Sequence, residues 1–316
     1  ITGVLDQTGD QDWYAVTLEA GEIYQFITSS TGGDNDVDTT LTIRDANGNV
    51  LAWNDDSTGT YSRVRLSVEE SGTYYIDVRG WADSEAGDYQ LTSETVVLEQ
   101  FPNDQIADQL LSGYWGEGNE RRWDVSEGGT LTVNITGLTE EGQFLAREAL
   151  NLWSDVIGIT FTEVSDDAQI TFDDESDGAF ASSSRSGEFI VSANINVSTA
   201  WLDNNGTTLN SYSFQTYIHE IGHALGLGHG GDYNGSGVSY SQDALYLNDS
   251  WATTVMSYFS QTRNEYFAEL GFSRRFVTTP MSADIVAIQS AYGGSTTTRT
   301  GDTVYGVGNT TGREVY

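Results

Sequence analysis

The sequence predicts two folds in series: an all-β sandwich over residues 1–94, then an α+β unit over residues 106–297 with a mixed sheet and one site-bearing helix. Three observations predict this. The first part consists of short alternating runs broken by turn residues. A long amphipathic helical stripe opens at Thr139. All three histidines of the chain fall in one eleven-residue window that starts at His219 and ends at His229.

In the first part, residues 12–16, 23–26, 41–43, 64–67 and 73–78 alternate apolar and polar side chains, the period of a strand with one face inside. Turn signals such as Ala46-Asn47-Gly48-Asn49 separate them, and short strands at such spacing argue for a sandwich. Asp34, Asp36 and Asp38 fall on one expected loop, Asp55 and Asp56 on another. Calcium takes roughly six to eight oxygen ligands, so carboxylate-rich loops suit it. Solvated turn aspartates explain the same residues.

A connector over 95–105, containing Pro102, leads to a short helix at 106–111. Thr139 precedes an amphipathic helix with Phe144, Leu145, Ala149, Leu152, Trp153 and Val156 as its apolar stripe. Strands follow near 159–164, 168–173 and 189–198, and residues 178–183 read as the sheet edge. A helix from about 213 to 225 carries two histidines. The last helix runs from Ser282 to Tyr292, with Ser282 as N-cap and Gly293 as stop.

The histidine window reads H-E-x-x-H-x-x-G-x-x-H, a zinc pattern with a general base built in. Residues i and i+4 of a helix project from one face, so His219 and His223 can reach one ion. Glu220 projects beside the metal, where it can take a proton from water. A continuous helix would carry His229 round to another face. Gly226 removes that difficulty, because glycine reaches backbone angles that end a helix and turn the chain back. Three neutral imidazoles leave a fourth position for water, the catalytic rather than the structural arrangement. The implied chemistry is hydrolysis.

The window is followed by Gly230-Gly231-Asp232-Tyr233, and Val255-Met256-Ser257-Tyr258-Phe259 comes later. Residues 110–114 (LLSGY), 153–156 (WSDV), 159–164 (ITFTEV) and 298–306 (TRTGDTVYG) complete a set that resembles the serralysins, the bacterial branch of the metzincin zinc endopeptidases. The resemblance covers residues from about 98 to the C-terminus and makes 106–297 the protease domain. It implies that Met256 is the Met-turn residue packed beneath the ligands. It also implies that Tyr258 binds zinc at rest, then swings away to hydrogen-bond the developing oxyanion. The sheet edge would pair with an extended substrate. Residues 298–316 would begin an RTX-type β-roll, with Arg299, Gly301 and Thr303 giving oxygens to a calcium ion. The family's usual proline after the third histidine is Gly230 here, a change expected to alter a loop and not the chemistry. Residues 9–14 (GDQDWY), 41–48 (LTIRDANG) and 71–76 (SGTYYI) look like a bacterial pre-peptidase C-terminal domain, a module that usually follows a protease and here precedes one.

Composition narrows the partners. The net charge is −34, from 47 acidic against 13 basic residues, and every basic residue is arginine. Nucleic acid and anionic membranes both require positive surface and are disfavoured. So much carboxylate needs cations, calcium among them, or a saline medium to screen it. There is no cysteine, hence no disulfide and no thiol latency switch. No run approaches the ~18 apolar residues of a membrane span. No signal-peptide pattern opens the chain, which fits a processed form. The resemblance implies a secreted, extracellular bacterial monomer that cleaves proteins. The N-terminal module would then hold insoluble substrate, stabilise the protease or mask its cleft.

Overall fold

Alternation in the first part produces eight strands: β1 (Thr2–Leu5), β2 (Gln11–Leu18), β3 (Ile23–Ser29), β4 (Thr39–Arg44), β5 (Val50–Asn54), β6 (Arg63–Ser67), β7 (Gly72–Gly80) and β8 (Gly87–Val96). They pair antiparallel in two sheets, ordered β1-β8-β3-β6 and β2-β7-β4-β5. Leu5, Phe26, Val64, Tyr89 and Leu91 of the first sheet meet Leu41, Ile43, Ile76 and Val78 of the second in one buried core. Burying each large apolar side chain is worth roughly 1.5–3 kcal/mol, so this contact is what holds the sandwich together. The computed structural model describes residues 1–316 apart from 57–59 and 117, and the chain divides into two units, Ile1–Leu98 and Glu99–Tyr316.

Three strands of this first unit have no counterpart in the sequence reading. β5 is an edge strand with Val50, Leu51 and Trp53 exposed, so no alternation marks it. β8 alternates to Leu91 and then turns polar. β1 is four residues long. Because β8 runs to Val96 and the next helix starts at Asn103, the connector is shorter than the expected 95–105.

The aspartates of the two acidic loops take different local roles. Asp36 serves its own turn: it accepts from the Ser30 hydroxyl, the Thr31 N–H at 3.0 Å and the Thr31 hydroxyl at 2.7 Å. Those hydrogen bonds, Ser30's first, hold its carboxyl below the usual range. Asp38 is pushed the other way, by burial and then by the charges of Asp56, Glu85 and Asp55. Among the described residues, only His219, His223 and His229 bring three potential ligands together, so Asp34, Asp36, Asp38, Asp55 and Asp56 form no such cluster.

The second unit contains α1 (Asn103–Asp108), β9 (Thr130–Gly137), α2 (Glu140–Ile157), β10 (Thr160–Glu163), β11 (Ile170–Asp173), β12 (Ala179–Ser186), β13 (Phe189–Val197), α3 (Thr199–Asn205), α4 (Tyr212–Ala224), α5 (Tyr240–Asp243), α6 (Glu265–Glu269) and α7 (Ser282–Tyr292). Its sheet is mixed, in the order β10-β9-β11-β13-β12, with only the edge strand β12 antiparallel to its neighbour. Thr139 caps α2 by accepting the Gly142 N–H at 3.2 Å. Leu145, Ala149, Leu152 and Trp153 face the core as the stripe requires. Phe144 does not: it is 43% exposed, and Leu150 and Ile157 fill the buried face instead.

At the C-terminal end one expectation is corrected and another is not shown. The N-cap of α7 is Met281, not Ser282, because the Asp284 carboxylate accepts the Met281 N–H at 2.7 Å and does the capping. The same buried carboxylate accepts the Val255 N–H at 2.9 Å and the Thr254 hydroxyl at 2.5 Å, which joins α7 to the turn before Met256. No strand forms among residues 298–316, so the start of a β-roll is not seen. A roll strand needs a neighbouring coil to pair with. This segment is tied to α2 instead: Asp155 accepts from Arg299 at 2.5 Å and from Arg313 at 3.0 Å. The Gly301 carbonyl accepts the Thr303 N–H at 2.9 Å, an intrasegment turn.

Candidate metal centre and cleft

The site helix is fixed at both ends. Ser211 caps α4 by accepting the Phe214 N–H at 3.2 Å. At the other end, carbonyls that no helix turn can satisfy are met by aromatic donors. The Trp123 indole N–H donates to Ala224 O at 2.8 Å, the Tyr292 hydroxyl to Leu225 O at 2.7 Å, and the Trp115 indole N–H to Gly226 O at 2.8 Å. Each bond contributes about 1 kcal/mol net. Sequence reasoning passed over all three residues, since no local pattern links them to α4.

Gly226 makes the turn. Its φ is +109°, and a Cβ there would lie 2.0 Å from the Arg121 carbonyl oxygen. No side chain fits. The chain therefore returns so that the His229 Nε2 sits 2.9 Å from the His223 Nε2. His219 and His223, one turn apart on α4, have ring centroids 4.6 Å apart. The potential ligand atoms of the three histidines all lie within 4.8 Å of one another.

Backbone carbonyls hold the far ring nitrogens of His219 and His223. The Nδ1 of His219 is 2.8 Å from Val255 O, and the Nδ1 of His223 is 2.7 Å from Leu227 O. A carbonyl partner assigns the proton to Nδ1 and leaves each Nε2 lone pair free. Burial pushes His219 down to about 4 and His223 down to about 3. It lowers His229 as well, with the two neighbouring histidines adding to the effect. Three neutral, convergent imidazoles fit a zinc ion with one coordination position left over.

Glu220 is 6% exposed and lies between α4 and the edge strand β12. Burial lifts its carboxyl to about 8, opposed by a hydrogen bond from the Ala181 backbone. A cation held by the histidines would favour its ionised form. Met256 is fully buried, and a Cβ on Gly222 would fall 2.7 Å from its sulfur, so glycine between the helix histidines admits the thioether. Gly230 donates its N–H to Met256 O at 3.3 Å, a bond that proline could not make. The Tyr258 ring centroid is 4.6 Å from that of His229, and its hydroxyl donates to Asn234 at 3.4 Å. Burial pushes this phenol up to about 12. Tyr233 stacks on His229 at 5.7 Å and donates to the buried Asp249 at 3.0 Å, a supporting pair of which Asp249 was not foreseen.

Two cavities share this centre. One, of about 260 Å³, joins the histidines, Glu220 and Tyr258 to Tyr114, Trp115, Arg121 and β12 residues. The other, of about 540 Å³, is walled by Trp201, Tyr212 and Trp251 and reaches the same His219 and Glu220. β12 runs past both, and an edge strand can pair with an extended peptide.

Comparison with known proteins agrees with this geometry. Residues 10–80 match the bacterial pre-peptidase C-terminal domain, and residues 166–282 match the reprolysin-like model of metallo-peptidase family M12B. The chain is 34% identical over 252 residues to a serralysin of Photorhabdus sp. (strain Az29), covering 70% of this chain and 50% of that protein. It is 36% identical over 237 residues to the metallopeptidase AprA of Pseudomonas marginalis, covering 67% and 49%. A serralysin C of Dickeya chrysanthemi is 37% identical over 187 residues, covering 54% and 37%. The chain thus spans about half the length, or less, of these curated relatives.

Proposed function

The chain joins a pre-peptidase C-terminal module to a serralysin-type metzincin unit, and from that premise we propose that it is a zinc endopeptidase acting on proteins outside the cell. One observation carries the reading: three neutral imidazoles converge beside a buried glutamate, next to a free sheet edge. His219, His223 and His229 would hold the ion. When bound, zinc supplies a Lewis acid for the scissile carbonyl and lowers the pKa of water toward ~7.

The chain's own groups do the rest. β12 aligns the peptide through main-chain hydrogen bonds. The Glu220 carboxylate accepts a proton from the attacking water and returns it to the leaving amine. The Tyr258 hydroxyl, after leaving Asn234, donates to the oxygen that gains charge. Replacing Tyr258 with Phe is expected to lower kcat by roughly 10²-fold while KM changes little. Steady-state kinetics on one peptide checks this, and an unchanged kcat would remove the tyrosine from the mechanism.

An extracellular site of action fits a strongly acidic chain with no cysteine. Among the described residues, no helix is long and apolar enough to cross a membrane. The N-terminal module is assigned an anchoring role on one feature. Trp13 and Trp53, 46% and 62% exposed, lie in one transverse row of the sheet β2-β7-β4-β5, through Asp77 and Thr42. Residues 99–316 alone should then hydrolyse soluble protein as the whole chain does but release product more slowly from insoluble substrate. Faster hydrolysis of soluble protein without the module would indicate masking.

A further inference from the structure

Among the described residues, Arg121 borders the smaller cavity with no carboxylate in ion-pair contact. Its guanidinium carbon lies 3.5 Å from the centroid of the Trp115 ring, a stacked arrangement that fixes the plane of the group. Trp115 is tied in turn to Gly226 O, and the Arg121 main chain abuts Gly226 itself. The side chain is thus held by the turn that ends α4. The Arg121 Nε is buried and has no hydrogen-bond partner, and no carboxylate among the described residues lies within ion-pair distance of the group.

The chain has 47 acidic residues against 13 arginines, so many arginines can find a carboxylate. Arg44, Arg79, Arg122, Arg147, Arg299 and Arg313 all have carboxylate partners. The charged neighbour that acts on Arg121 is another arginine, Arg185, which donates to Asn119 O at 3.0 Å. A guanidinium does not deprotonate in proteins, so partial burial leaves a charge that no carboxylate among the described residues compensates. The same cavity contains His219, Glu220 and His223, and β12 residues Ser182 and Ser183 line its wall.

We propose that Arg121 is a specificity-determining residue that binds a substrate carboxylate a few residues from the scissile bond. The inference rests on the peptidase reading above and names a substrate class for it. A planar guanidinium takes a carboxylate with two parallel hydrogen bonds, which neutral side chains cannot match. The acidity of the chain as a whole does not prevent this, since exposed charges are screened beyond about 8 Å at physiological ionic strength. Along a peptide paired with β12, alternate side chains face the cleft, so the preference belongs to one position and not its neighbours.

The test uses the whole chain loaded with zinc and peptide pairs that carry Glu or Gln at each position around the cleaved bond. Each peptide is prepared as free acid and as C-terminal amide. At one position the wild type should show kcat/KM about tenfold higher for Glu than for Gln, a ratio that falls as salt is raised. In Arg121→Gln that ratio should approach one, and in Arg121→Glu it should fall below one. A preference removed by amidation and not by Gln assigns the carboxylate to the peptide end. A wild-type ratio near one at every position, with free and amidated ends alike, overturns the proposal, as does a ratio unchanged in Arg121→Gln. Zinc content reports folding of each variant. If Arg121→Gln loses zinc, the wild-type ratio and its salt dependence decide. Failure of the wild type to cleave any peptide would instead refute the peptidase reading.

Discussion

Glu220→Gln is expected to retain its zinc and to lose hydrolysis by on the order of 10³-fold or more, the loss that follows removal of a positioned proton carrier. The Nδ1 atoms of His219 and His223 are held by the Val255 and Leu227 carbonyls, neither of which depends on Glu220. Glutamine has the same shape, and its amide oxygen can still accept from the Ala181 backbone. What it cannot do is take a proton. No second group can substitute, because Glu220 is the only carboxylate among the described residues lining either cavity. Metal analysis beside kcat/KM on one peptide checks both halves. Near-normal hydrolysis with zinc bound would exclude the general-base role.

Gly226→Ala should cost the fold about 3 kcal/mol or more and weaken zinc binding at least tenfold, by strain at a position where L-residues rarely sit. Two effects add. The backbone φ of +109° is unfavourable for any residue with a Cβ, and that Cβ would meet the Arg121 carbonyl at 2.0 Å. Because the clashing atom is backbone, relief requires the turn itself to shift. His229 lies three residues on and moves with it. The Trp115 bond to Gly226 O would be strained by the same shift. Denaturant unfolding and chelator competition measure the two losses. An alanine variant as stable as the wild type, with the same zinc affinity, would show that the turn tolerates another path.

Much of the site was legible because its logic is local. His219, His223 and Glu220 are placed by helix geometry, and Gly226 and His229 by a helix stop, all within eleven residues. The sandwich was legible for the same reason, since β2, β3, β4, β6 and β7 each contain an alternating run. What stayed hidden depends on partners far along the chain. Trp123, Tyr292 and Trp115 look like core aromatics until they are seen to donate to the last carbonyls of α4. Asp284 reads as a first-turn acid, yet its carboxylate secures the Met256 turn. Arg121 carries no motif, and its lack of a carboxylate partner among the described residues is visible only in the fold. The acidic loops were legible only as composition that suits a cation, and the local bonds of Asp36 to Ser30 and Thr31 carry no sequence pattern.

The account stands on three imidazoles binding one ion, and zinc stoichiometry of the folded chain tests that most directly. Elemental analysis after dialysis should find one zinc per wild-type chain and far less than one in His229→Ala that remains folded. Folded wild type that retains no metal, or a His229→Ala variant that retains a full equivalent, would contradict it.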